Sequence, residues 1–562
     1  MTSTATVRIG TRGSALALAQ ANIVRDALAA AGAATEISII TTPGDRRAPD
    51  TAWGEGAFVT AIEAALVRGE IDVAVHSAKD VPTDEDPRLA IAAFLERAPS
   101  GDVVVLPDGH VATSLDDLPR ASRVGTDSPR RTAFLRAVRP DLRLHPLHGN
   151  VDTRLRRLDE GQSDALVLAE AGLTRLGRAG RISFRLPAGV VPPAPGQGAI
   201  AVQVRASDVA TAALVARLDH RPTRVAVEAE RALLAASGGG CRAPLGALGR
   251  VDATGDLELL GGFARPDGSL ATIVRRTAPE AESPRLVDSL LAALAQDASA
   301  TALAAGDPPV LVTRAANQSA ALALALVDRG LAPLLVPSIE IAPAADGLAP
   351  ALAGIASFDW VVVTSVNAAR AVHETASHLG VPLGLDGGPR WAAVGLATAR
   401  ALRASGVSVA LRPRRASGAS LADELPLQGG ERVLVPRSEI ADDALVDRLS
   451  ARGARVEAVM AYRTIEGPAA SGSLLEPALA ADPRVVIFTS GSTTRGLLAL
   501  AARAGQAAVE RVLATPAICI GPSTSGEARR LGFSVVAEPG SPGVAAIADA
   551  TAGYLGLHQE ST

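Results

Sequence analysis

Ile71-Asp72-Val73-Ala74-Val75-His76-Ser77-Ala78-Lys79-Asp80-Val81-Pro82 sets the architecture of the first half of this chain. Its apolar run reads as a buried strand, and its polar tail falls at the carboxyl end, where open α/β sheets bind ligands. Upstream, Val7-Arg8-Ile9 leads through Gly10-Thr11-Arg12-Gly13-Ser14 into a helix-period stretch with Leu16, Ile23, Ala27 and Leu28 on one side. Such alternation of strand, loop and helix predicts a mainly parallel sheet. Downstream, Pro192-Pro193-Ala194-Pro195-Gly196-Gln197-Gly198 predicts a bend between two lobes, and Gly238-Gly239-Gly240-Cys241 places a thiol on a sharply bent backbone.

The sequence has 562 residues, 48% hydrophobic and 20% charged, too many for one core, so several domains are expected. A net charge of -4 speaks against a nucleic-acid or polybasic membrane binder, and any anion site must come from clustered Arg. The two cysteines, Cys241 and Cys519, cannot build a disulfide framework, and metal-ligand spacings are missing, so no metal is expected. Neither a signal peptide nor a bilayer-spanning run is recognisable. A cytoplasmic protein with no membrane, nucleic-acid or obligate protein partner is the expectation.

Residues 301–309, ending in Gly306-Asp307-Pro308-Pro309, read as a linker. Beyond it lies a repeat: Val310-Leu311-Val312 echoes Val433-Leu434-Val435, Val361-Val362-Val363-Thr364-Ser365 echoes Val486-Ile487-Phe488-Thr489-Ser490, and Ala393-Val394-Gly395 echoes Cys519-Ile520-Gly521, always about 125 residues apart. Two related α/β lobes with a cleft lined by Thr, Ser and Gly follow.

Candidate chemistry concentrates at turns. Ser128-Pro129-Arg130-Arg131 carries a helix cap, a first-turn Pro and two guanidiniums, and Asn150-Val151-Asp152-Thr153-Arg154 repeats the device. With Arg12, Ser14 and Arg175 at further strand ends, these groups suit a polyanionic substrate. Taken singly, each Arg reads more readily as a solvated charge and Cys241 as an inert buried thiol, while Asp80 reads equally as a turn residue. Lys79 beside Asp80 would hold that carboxylate ionised.

Residues 7 to 300 resemble the hydroxymethylbilane synthase (porphobilinogen deaminase) family. The resemblance is carried by Arg8-Ile9-Gly10-Thr11-Arg12-Gly13-Ser14, His76-Ser77-Ala78-Lys79-Asp80-Val81-Pro82, Gly125-Thr126-Asp127-Ser128-Pro129-Arg130-Arg131, Gly149-Asn150-Val151-Asp152-Thr153-Arg154, Pro193-Ala194-Pro195-Gly196-Gln197-Gly198 and Gly239-Gly240-Cys241. It implies two periplasmic-binding-protein-like lobes, about 1–95 with 199–217 and about 96–194, plus a small α+β domain over about 218–300. It also implies a dipyrromethane cofactor covalently attached to Cys241 and held by Ser128, Arg130, Arg131, Lys79 and Asp80. Asp80 and Lys79 would be catalytic in joining four porphobilinogen units with loss of ammonia. Arg12, Ser14, Gln20, Phe58, His148, Arg154 and Arg175 would bind substrate. The sequence departs from the family pattern at Thr51, Glu55 and His148, where basic residues are usual.

Residues 310 to 555 resemble uroporphyrinogen-III synthase through Val312-Thr313-Arg314, Phe358-Asp359-Trp360, Ala461-Tyr462-Arg463-Thr464, Phe488-Thr489-Ser490 and Ile520-Gly521-Pro522-Ser523-Thr524. This implies two flavodoxin-like α/β lobes, one of about 310–340 with 464–562 and one of about 346–461, within a unit spanning 310–562. Tyr462 would assist loss of the terminal hydroxyl, and Thr364, Ser365, Ser490 and Thr524 would hold carboxylates. A bifunctional enzyme making uroporphyrinogen III is the main expectation. The alternatives are a deaminase with a non-catalytic second half and a simple binding protein.

Overall fold

The computed structural model describes residues 6–41, 59–84, 86–239, 243–384, 387–439, 441, 443–541 and 543–557. The strand Val73–Ser77 has its first four residues buried. It runs parallel to Val7–Thr11 on one side and antiparallel to Ile200–Arg205 on the other. The sheet order is Thr35–Ile39, Val7–Thr11, Val73–Ser77, Ile200–Arg205, Leu89–Phe94. A second sheet repeats this plan as Arg143–His145, Arg123–Gly125, Ala165–Ala169, Asp102–Val105, Phe184–Leu186. In both, the fourth strand is antiparallel to the third, and it is the strand the chain lays down on arriving from the other lobe.

The return crossing is built by Pro192 to Gly198. Gly198 has φ +90°, and a Cβ there would stand 2.5 Å from the Ala98 carbonyl oxygen, so only glycine lets the two crossing segments touch. Fully buried Glu230 fastens the crossing: it accepts from Arg97 at 2.6 and 3.0 Å, from the Gly196 amide at 2.6 Å and from the Gly249 amide at 2.7 Å. Gly249 belongs to an antiparallel sheet of Leu245–Val251, Asp256–Ala264 and Ala271–Pro279, which packs with the helices Arg221–Ala236 and Ser283–Ala304 as a small α+β unit.

In the second half, one parallel sheet has the order Ala332–Leu335, Pro309–Val312, Val485–Phe488, Ala517–Cys519, Val535–Ala537. The other runs Ile339–Pro343, Arg455–Glu466, Arg432–Ser438, Trp360–Val363, Arg390–Ala393, Val409–Leu411. Set aside its antiparallel edge strand Ile339–Pro343, and both sheets share the flavodoxin-like 2-1-3-4-5 order, with the strands beginning near Val310 and Val433 in position 1. The repeat seen in the sequence is therefore exchanged in space. The first strand of each copy lies in the sheet that holds the later strands of the other copy.

The segment expected as a linker differs from that expectation. Residues 301–304 end the helix Ser283–Ala304, and Pro309 already begins a strand. The physical reason is burial: Leu294, Ala298 and Ala302 of that helix share one apolar cluster with Ala320, Ala323, Leu324 and Val327 of the helix Ala316–Asp328. Buried Arg265 closes the joint by donating to the Val327 carbonyl at 2.7 Å and pairing with Asp307.

Candidate active site

The carboxyl ends of the first two sheets hold most of the residues singled out from the sequence. Ser14 caps the helix Ala15–Ala30, and buried Gln20 on that helix donates to Ser77 Oγ at 2.8 Å, fixing the end of Val73–Ser77. A single 3-10 turn then presents Lys79 and Asp80. Arg12, Ser14, Gln20, His76, Ser77 and Asp80 line one cavity, with Leu16, Val59 and Ile62 as its apolar wall.

Asp80 is exposed at the mouth of this cavity, while the protein packed around its carboxyl takes away part of its hydration. That burial raises its pKa above the ordinary carboxylate range, with Lys79 and Arg12 pulling it part of the way back. Burial lowers the Lys79 ammonium to about 8 against the attraction of Asp80. Lys79 Nζ donates to Gln197 Oε1 at 3.3 Å. Burial also lowers buried His76 to about 4, so its ring is neutral at pH 7.

Ser128 and Asn150 cap the helices Pro129–Val138 and Val151–Asp159, as their sequences predict. Arg130 and Arg131 are not open to a ligand in the way expected. Their guanidiniums converge on fully buried Asp102, at 2.9 and 2.7 Å, and Arg131 also donates to the Val167 carbonyl at 3.0 Å. Burial alone would raise the Asp102 carboxyl, but the two guanidiniums hold it far below the usual range. Gln197 Nε2 adds a third donor at 2.8 Å, so one amide side chain links Lys79 in the first lobe to Asp102 in the second. One carboxylate against two cations leaves this corner net positive.

Arg154 pairs with Asp127 at 2.7 Å and donates to the Gly149 carbonyl at 2.7 Å. His148 Nδ1 approaches the same Asp127 to 2.9 Å, but neither atom gains a hydrogen bond from the approach. Arg175 is different: burial pushes its pKa down to about 10, and its hydrogen bond is to the neutral Gly198 carbonyl at 2.6 Å. Phe58, Glu55 and Thr51 lie outside the described residues.

The cofactor expectation is corrected. Residues 240–242 lie outside the described residues, the cysteine that is described is Cys519, buried in the second half, and no dipyrromethane attachment site is evident among the described residues. That reading is withdrawn. Among the described residues no cluster of three or more His, Cys, Asp or Glu could hold a metal ion.

In the second half, Ser365 caps the helix Val366–Leu379, and its Oγ stands 3.3 Å from Tyr462 Oη. Thr364 lies just before it, half-buried. Ser490 caps Gly491–Ala504 in a reciprocal box with Thr493. Thr524 is buried within the helix Pro522–Arg530. A contact between lobes runs from Gln318 Nε2 to Asn367 Oδ1 at 2.6 Å.

Sequence reading missed Asp102, Glu230, Gln197 and Asp127 as organisers. Asp102 had a signal, since it opens the all-apolar strand Asp102-Val103-Val104-Val105, where an acid has to be paired. Glu230 had one too, on the helix face that buries Ala226, Val227, Leu233 and Leu234.

Comparison with known proteins places this geometry. The model for "Porphobilinogen deaminase, dipyromethane cofactor binding domain" matches residues 7–213, and that for "Porphobilinogen deaminase, C-terminal domain" matches 225–296. A porphobilinogen deaminase of Mycobacterium avium is 50% identical over 272 residues, 47% of this chain and 85% of that protein. The chain belongs to the porphobilinogen deaminase family. The Mycobacterium tuberculosis porphobilinogen deaminase is 48% identical over 272 residues, 47% of this chain and 87% of that protein. Behind the deaminase half, the model for "Uroporphyrinogen-III synthase HemD" matches residues 320–549, so the chain is a fusion of a deaminase with a uroporphyrinogen-III-synthase-like half. A solved uroporphyrinogen III synthase of Thermus thermophilus is similar at 20% identity, over 44% of this chain and 98% of that one, with a TM-score of 0.32. The fusion carries two enzymes of tetrapyrrole biosynthesis. No described helix is long and apolar enough to cross a membrane.

Proposed function

We propose that residues 1–300 join four porphobilinogen molecules head to tail with release of ammonia, that residues 310–562 close the linear product to uroporphyrinogen III with inversion of the last ring, and that both act in the cytoplasm. The observation that carries the reading is Asp80, a carboxylate poised beside Lys79 in a cavity at the mouth of the first sheet. Its raised pKa suits exchange of a proton with the pyrrole N–H or the departing amine, and its charge offsets the cation that forms as ammonia leaves. Lys79, Arg12 and Arg175 supply cations for the acetate and propionate groups of the growing chain. Arg130 and Arg131 act through the field of the Asp102 cluster, each keeping a buried Nε without an acceptor. Arg154, paired with Asp127 and bonded to the Gly149 carbonyl, steadies the loop that opens the helix Val151–Asp159.

In the second half, the Ser365 and Tyr462 hydroxyls would meet the departing hydroxyl of the linear tetrapyrrole, with capped helix starts at Ser365 and Ser490 offering N–H groups to its carboxylates. Asp80→Ala tests the first assignment through porphobilinogen consumption. A loss of ~10²-fold or more is expected, and a loss under about threefold contradicts the role. Isomer analysis of the full chain's product tests the second, with type III expected.

A further inference from the structure

We infer that Arg314 is the carboxylate anchor of the second cleft, an inference that rests on the ring-closing reading of that half. Arg314 stands two residues beyond the strand Pro309–Val312, at the carboxyl end of its parallel sheet. The neighbouring strand Val485–Phe488 leads from the same end into Ser490. The side chain is only half-exposed, and its Nε donates to Gln318 Oε1 at 3.3 Å. By taking the amide oxygen it turns Gln318 Nε2 toward Asn367 Oδ1 at 2.6 Å in the other lobe. Asn367 lies in the first turn of the helix capped by Ser365, whose hydroxyl meets Tyr462. Arg314, Gln318, Asn367, Ser365 and Tyr462 thus run from one lobe to the other.

Arg314 bonds a neutral amide where a paired acid would be expected. Several enclosed guanidiniums meet a carboxylate: Arg130 and Arg131 share Asp102, Arg97 pairs with Glu230 and Arg154 with Asp127. Among the described residues no carboxylate pairs with Arg314, and burial alone lowers its pKa. Arg175 in the deaminase half has the same signature. A desolvated cation whose bonding partner is neutral is costly in the empty protein, and an incoming carboxylate would repay that cost through a charge-assisted, forked hydrogen bond. A substrate side-chain carboxylate, held there on one lobe, would leave the reacting terminus to reach Tyr462 on the other.

The test uses the full chain with Trp53→Phe, so that tryptophan emission comes from Trp360 and Trp391 in the second half. Uroporphyrin III is the probe, and energy transfer from tryptophan reports its binding. Arg314→Met should weaken binding ~10–100-fold, as expected for a charge-assisted hydrogen bond. Arg314→Lys should lie between, and Gln318→Leu should cost under about threefold. Porphobilinogen consumption should be unchanged in all three, while the type III fraction falls in Arg314→Met. Unchanged probe binding in Arg314→Met overturns the anchor, as do equal losses in Arg314→Met and Gln318→Leu or a parent protein that does not bind the probe. If the parent makes no type III product yet Arg314→Met loses the probe, the ring-closing reading fails and the anchor stands.

Discussion

Asp102→Asn removes the one negative charge that holds two buried guanidiniums together. Asp102 accepts from Arg130 at 2.9 Å, Arg131 at 2.7 Å and Gln197 at 2.8 Å, and it is fully buried. Asparagine has the same shape but is neutral, and its amide nitrogen would face a guanidinium N–H, donor against donor. With an effective dielectric of ~20 and guanidiniums roughly 5 Å apart, the uncompensated repulsion is about 3 kcal/mol. Breaking one side of a buried ion cluster costs about 3–5 kcal/mol, and since the two figures describe the same loss, about 3–5 kcal/mol is the expected total. Asp102 is held below its unfolded pKa, so its contribution is complete above the ordinary carboxylate range and fades as pH falls toward the folded value. Parent and variant should therefore differ fully above about pH 5 and converge in strong acid. Hydrogen exchange should accelerate in the paired strands Asp102–Val105 and Ala165–Ala169, while Trp360 and Trp391 emission reports an undisturbed second half. Unchanged exchange in those strands at pH 7 would refute the claim that Asp102 neutralises the two arginines.

Lys79, lowered to about 8, loses its charge as pH rises through that value while its unfolded counterpart stays protonated, so stability rises and anion binding falls over that window. Deaminase turnover should show an alkaline limb near pH 8 that Lys79→Arg shifts upward, and an unmoved limb argues against Lys79. Gly198→Ala, at φ +90° with its Cβ 2.5 Å from the Ala98 oxygen, should cost more than about 1 kcal/mol and slow porphobilinogen consumption; a neutral outcome would mean that the crossing tolerates a side chain. Ending the chain near Ala305 should loosen the helix Ser283–Ala304 on the order of 2 kcal/mol, by uncovering apolar surface that Leu324 and Val327 now bury. Hydrogen exchange in that helix, equal in full and shortened chains, would favour a loose tether instead.

The sequence by itself determined which elements form and what they end in. The strand through Val73-Ala74-Val75, the caps at Ser14, Ser128 and Asn150, and the second-half repeat all rest on local rules: apolar runs, cap residues and Pro or Gly placement act within a few residues. Only the tertiary structure decided the partners. Arg130 and Arg131 read as ligand-facing because nothing nearby in the sequence neutralises them, yet Asp102 reaches them from almost thirty residues away. The exchange of first strands between the two lobes of the second half is not written in the repeat, since both copies carry the same pattern; the expectation of lobes over 310–340 with 464–562 and over 346–461 comes from the family resemblance alone. The linker read from small residues became a helix end and a strand start because the opposing helix Ala316–Asp328 offered alanine and leucine to bury, and composition records that a residue is small without recording what it meets.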